Sequence, residues 1–187
     1  MGVQDRLAGG AWLAAAGDRF SVLLNRAGAP DLPSDRIASR GGLVLDAVSS
    51  AGAGTGAGGG AGVAGVVTAG GRAPSAHPRT MGFNLLRVAE GRAELSSWDG
   101  ARMRRSPLTP GTHMIAHDDL DDPATPRIVA WREVFAAAPT DGPAESWWRP
   151  WLEVLERSTA LPPSDDRAII RDNHPHEEEQ SNCDQDQ

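Results

Sequence analysis

Residues 81–98, MGFNLLRVAEGRAELSSW, decide the fold class. Two strand-length runs, 81–89, rich in aliphatic residues, and 92–98, which ends in Trp98, flank the dipeptide Glu90-Gly91. That pattern predicts two antiparallel strands joined by a tight turn. The arrangement recurs earlier, where residues 10–16 and 19–25 read as strands around Gly17-Asp18. Residues 102–105 and 112–116 are weaker strand candidates. The first is short and charged, which suits a sheet edge. Helices belong between and after these strands. Ser39 is placed to cap a helix reaching Val48, with Leu43, Val44 and Ala47 on one face. Residues 128–138 show helical spacing at Ile128, Trp131, Val134 and Phe135. Residues 146–157 carry a stripe of Trp147, Trp148, Trp151, Leu152 and Leu155, with Pro150 tolerated near the first turn. Core packing and an aromatic ligand box both fit this stripe. Ala168-Ile169-Ile170 looks like the approach to a further strand. The fold class expected is α+β.

The bulk of the chain sets limits on function. Its 187 residues suffice for one domain with a core. Trp supplies six of the nine aromatic residues and Tyr is absent, so a few indoles must anchor the packing. A net charge of −7 argues against a general nucleic-acid surface. Lys is absent and every strongly basic residue is Arg, as a GC-rich coding bias would produce. The single cysteine, Cys183, rules out an internal disulfide and a cysteine zinc site. No secretory h-region and no membrane-spanning apolar run is seen, so a cytoplasmic location is expected. Residues 50–72, almost all Gly and Ala, read as a flexible insertion with a short ordered piece at 63–68. Residues 176–187 form an acidic, amide-rich tail expected to be disordered.

Local motifs are weak. Gly54-x-Gly56-x-x-Gly59 matches a dinucleotide pattern, but a helix precedes it and no acidic residue follows at the required distance. His113 and His117 stand among Asp118, Asp119, Asp121 and Asp122, a donor set that a divalent metal accepts. On a strand, however, residues four apart are about 13 Å apart, so one metal could take both imidazoles only if the chain bends. A solvated acidic loop turned by Pro123 and Pro126 is the other reading. The cluster Asp172-Asn173-His174-Pro175-His176 reads as a turn or as an acid–base group. No nucleophile-elbow pattern supports a serine triad.

Several segments, in order, resemble the NRDE family, also called the Transport and Golgi organisation two family. Asp5-Arg6-Leu7-Ala8-Gly9-Gly10-Ala11-Trp12-Leu13 is similar to its Arg-Asp-x-x-Ala-Gly-Gly-Thr-Trp stretch, with Gln4 and Ala11 departing. Phe20 to Asn25, followed by Arg26, resembles a strand ending in Asn. Ser39-Arg40-Gly41 resembles a helix opening, and Gly82-Phe83-Asn84-Leu85-Leu86 a fourth segment. Leu120-Asp121-x-Pro123-x-x-Pro126-Arg127 is similar to the family's Leu-Asp-x-Pro-x-x-Lys/Arg. The resemblance covers roughly residues 3 to 175 and is interrupted mainly at 50–72.

This resemblance implies a four-layer αββα sandwich of the N-terminal-nucleophile type. There a Cys directly after the initiator Met attacks an amide carbonyl, with its own α-amine as base. Here Gly2 follows Met1, and the family's Asn-Arg-Asp-Glu signature is missing. The expectation is therefore an incomplete sandwich over residues 1–175, an amide-bond hydrolase-like domain without its nucleophile and without activity. No catalytic residue, cofactor or metal carries over. Asn25, Ser39, Arg40, Asn84 and His117 are the expected cleft residues, His117 standing where many members have an Asn. The expected partner is an unknown small molecule, with self-association through exposed sheet edges. The alternative is a non-catalytic module for a haem- or lipid-like molecule, supported locally by the Trp-rich helix and His117. A metal-dependent hydrolase using His113, His117 and the nearby Asp residues is a third reading.

Overall fold

The structure is a computed structural model that describes residues 2–4, 11–49 and 72–170. Residues 5–10 of the first family-like segment, the Gly/Ala stretch 50–71, the 172–176 cluster and the tail 176–187 lie outside them. The chain divides into two compact units, Met1–Thr125 and Pro126–Gln187.

The first unit is one antiparallel sheet in which strand order follows chain order: β1 (Gly2–Gln4), β2 (Ala11–Ala16), β3 (Arg19–Asn25), β4 (Phe83–Ala89), β5 (Arg92–Trp98) and β6 (Met103–Leu108). Both expected hairpins form. Glu90 and Gly91 have φ of 52° and 69°, the pair of positive values that matches a two-residue turn to the twist of its strands. Val3 faces Leu13 and Gln4 faces Ala11, so Trp12 is the extra residue of a bulge.

Alternation along the strands makes two unlike faces. Register aligns Leu23, Leu85 and Ser96 in one row and Asn25, Phe83 and Trp98 in the next, all on the same side. Helix α1 (Gly41–Val48) lays Val44, Ala47 and Val48 on this side, and with Ala14, Leu23, Phe83, Leu85 and Trp98 they form the core. Each fully buried Leu or Phe there contributes about 1.5–3 kcal/mol. Trp98 meets its polar need by donating Nε1–H to the Thr80 carbonyl at 3.0 Å. On the opposite face, Leu13, Phe20, Val22, Leu24, Leu86 and Val88 are only partly buried.

The second unit holds α2 (Pro126–Ala136) and α3 (Arg149–Ser158). α2 buries Ile128, Trp131 and Phe135, and the Trp131 indole N–H bonds the Arg167 carbonyl at 2.7 Å. Phe135 meets Trp151 edge-on at 5.5 Å, and Trp147 meets Trp151 at 6.4 Å.

Four local expectations change. Residues 112–116 are not a strand, because the Asp121 carboxylate takes the Met114 N–H at 2.8 Å and the Asp121 N–H bonds the Met114 carbonyl at 2.9 Å, folding the loop on itself. Residues 168–170 are not a strand: Ala168 is buried and 169–170 form bends. α3 begins at Arg149, so Trp147 and Trp148 precede it and are 43% and 40% exposed, while Val154 and Ser158 supply its buried face. Ser39 sits one place before the helix cap, Arg40, and its Oγ accepts the Gly41 N–H at 3.3 Å.

Candidate functional site

One end of the sheet gathers the last residues of β3 and β5 and the first residues of β4 and β6. On the face away from α1, register places Leu24, Asn84, Ser97 and Arg104 in one cross-strand row. Arg26, two residues past Leu24, continues on that side. The loop after β6 closes on this corner. Asn84 donates Nδ2–H to the Asp118 carbonyl at 2.9 Å. Arg104 donates Nη2–H to Asp119 Oδ1 at 2.5 Å. Arg26 Nη1 lies 2.8 Å from the same oxygen, at an angle that makes it an ion pair without a hydrogen bond.

This arrangement has a definite chemistry. Two guanidinium groups share the Asp119 carboxylate, and the Asp99 carboxylate lies within electrostatic reach of both, so the charges of the group balance. Asn84 is fully buried, and its Oδ1 has no partner. The amide orientation is set by the Asp118 carbonyl, which can only accept, so Nδ2 must face it and Oδ1 is the free acceptor. The corner therefore holds one buried, unpaired carbonyl oxygen and two guanidinium groups beside the aliphatic strip of Leu24, Val22 and Leu86.

The other expected residues lie elsewhere. Asn25 pairs with Phe83 at the α1 side of the sheet end and is exposed. Arg40, also on the α1 side, donates Nη1–H to the Gly82 carbonyl at 2.8 Å. Burial pushes its guanidinium below the usual arginine range. The same carbonyl takes the Arg26 N–H at 3.3 Å. A Cβ on Gly82 would meet the Arg26 and Ala27 carbonyl oxygens at 2.7 Å, so this crossing admits only glycine. Arg40 thus ties the helix to the start of β4. Ser39 serves the helix N-terminus and His117 is exposed. The expected cleft divides across the sheet: Asn84 meets the 117–119 loop on one side, while Asn25, Ser39 and Arg40 hold the other. Arg26, Arg104 and Asp119 join the site without having been expected there; the only sequence signal was Asp119 in the acidic loop.

Two further polar groups are structural. His113 faces Asp121 Oδ2 with Nδ1 at 2.7 Å and the Thr109 carbonyl with Nε2 at 2.9 Å. Both ring nitrogens point at oxygens, so neither lone pair is open to a metal. Among the described residues no group of three or more His, Cys, Asp or Glu is placed to hold a metal ion. On the α1 face, Arg87 and Glu94 form a buried ion pair, joining the two strands across the hairpin. Arg87 Nε and Nη1 and the hydroxyls of Ser21 and Ser96 beside it are buried without partners. No described helix is long and apolar enough to cross a membrane.

Comparison of the chain with protein-family models, with curated proteins and with solved structures gave no match.

Proposed function

We propose that this chain is an NRDE-type domain whose sheet forms one inner layer of an αββα sandwich. Its Asn84 corner holds an N-acyl amino acid or similar acylated small molecule. The observation that carries the reading is the Asn84 amide: fully buried, fixed by the Asp118 carbonyl, and left with an unpaired Oδ1. An amide N–H of the ligand satisfies that oxygen once the 117–119 loop over it shifts. The ligand's carboxylate competes with Asp119 for Arg104, the more exposed guanidinium of the corner. Its acyl chain lies along Leu24, Val22 and Leu86, the aliphatic strip on the same face. That face, partly buried and apolar opposite a helix-covered one, is what an inner sandwich layer requires. Binding, not covalent chemistry, is the role assigned to these residues. The His113 ring that could serve as a base is committed to Asp121 and Thr109.

The test is thermal shift and calorimetry with N-acyl amino acids of increasing chain length, with mass spectrometry to follow the ligand. A ligand at 100 times its Kd stabilises the fold by about 2.7 kcal/mol. The expected result is stabilisation that grows with chain length, weakens at least several-fold in Arg104→Gln, and leaves the ligand unhydrolysed. No shift with any chain length, an unchanged affinity in Arg104→Gln, or steady hydrolysis would each overturn the proposal.

A further inference from the structure

β6 is an edge of the sheet, and no described strand pairs with its outer side. The direction of its main-chain groups follows from one bond. The Asp99 N–H donates to the Arg102 carbonyl at 3.4 Å, which makes that pair a hydrogen-bonded one. Alternation down the ladder then turns Arg104 and Ser106 inward to β5. Met103 and Arg105 point their N–H and C=O groups outward. Pro107 falls in the next outward position, where a missing N–H breaks no bond to β5. Among the described residues, the unpaired edge is therefore a short run centred on Met103 and Arg105.

A groove of about 580 Å³ runs beside this run, lined by Ala76, His77, Ala101, Arg102, Met103 and Arg105. No carboxylate lines it. Arg105 is held there by a hydrogen bond from Nη2 to the Pro74 carbonyl. The remaining cation of the strand, Arg104, spends Nη2 on Asp119 on the other face. A basic edge of this kind repels the same edge of a second copy, since antiparallel pairing would set Arg against Arg. It favours a strand of opposite charge.

We infer that the β6 edge is a docking site for an extended acidic peptide of a partner protein, which adds as a seventh strand. Its backbone bonds Met103 and Arg105, its acidic side chains meet Arg102 and Arg105, and its small apolar side chains fill the groove between Ala76 and Met103. This site lies beyond the Asn84 corner and does not depend on the ligand proposed there.

The test is fluorescence anisotropy of the full chain with three labelled peptides: alternating Glu and Val, alternating Lys and Val, and the Glu–Val peptide N-methylated at alternate residues. The Glu–Val peptide should bind, and its N-methylated form should bind at least about ten-fold more weakly, because several strand hydrogen bonds are lost together. The exposed double variant Arg102→Glu, Arg105→Glu should lose the Glu–Val peptide and gain the Lys–Val peptide, a change of preference that a misfolded chain would not show. Absence of Glu–Val binding, equal binding of the N-methylated peptide, or displacement by polyphosphate at equal charge would overturn the inference.

Discussion

Breaking the Arg87–Glu94 pair from one side and from both sides should have opposite effects on stability. Arg87 is 1% exposed and Glu94 4%, so both charges have left water almost completely. Arg87→Met would strand the carboxylate, and Glu94→Leu would strand a guanidinium whose Nε and Nη1 already lack partners. Each single change should cost about 3–5 kcal/mol, a large part of a total stability of about 5–15 kcal/mol. The double variant removes both charges and the orphaned nitrogens, each unmet polar group being worth about 1–3 kcal/mol. It should therefore match the parent or exceed it by about 1–4 kcal/mol. Urea unfolding followed by circular dichroism and by tryptophan emission reads this directly, since Trp98 is buried on the same face of β5 as Glu94. A double variant less stable than either single one would refute the reasoning, because the pair would then be contributing more than it costs to desolvate.

Two further outcomes follow from local geometry. A Cβ at Gly28 would lie 1.9 Å from the Asp99 carbonyl oxygen, with φ at +122°, whereas one at Gly17 meets nothing within 4 Å. Gly28→Ala should thus destabilise by several times the roughly 1–2 kcal/mol expected of Gly17→Ala, and equal losses in urea midpoint would contradict the crossing described. The Arg102 and Ala101 backbone N–H groups hold the Asp99 carboxyl below the usual carboxylate range. Its folded pKa being depressed, its contribution is present above the unfolded value of about 3.9 and is lost as pH falls through the folded one. Asp99→Asn, which keeps the accepting oxygen, should flatten the pH dependence of stability below about pH 4. Parallel curves for the two proteins would argue against it.

The strands were legible because their signals are local. Gly17-Asp18 and Glu90-Gly91 sit between strand-length runs, and the turn chemistry sets the register. Arg87 and Glu94 are equidistant from the Glu90-Gly91 turn, so their pairing was readable once the turn was placed. What the sequence hid depends on distant partners. Residues 112–116 have strand-like composition, yet Asp121 captures the Met114 amide and the His113 ring before any ladder can form. The tryptophans before α3 were read by helical spacing, but the helix starts after two of them. The NRDE-like segments singled out Asn84 and Arg40 together, although they stand on opposite sides of the sheet. The ion pairs around Asp119 join residues separated by many positions, and no spacing rule connects Arg26 or Arg104 to it.

The alternation that builds the core also builds the site. Along β4, Phe83, Leu85 and Arg87 face α1, while Asn84, Leu86 and Val88 face away. One helix can cover one face, and it covers the side where Phe83 and Leu85 stand. The other face then carries an aliphatic strip ending in a buried amide and two arginines on one carboxylate. Were that strip merely leftover surface, burying Asn84 completely at its end would cost free energy with no return. The loop that seals it takes one end of the amide and leaves the other as an acceptor, and the fold keeps Arg26 and Arg104 beside it. The acylated ligand proposed for this face would supply a donor for Asn84, a carboxylate competing with Asp119 for Arg104, and a hydrocarbon for the strip.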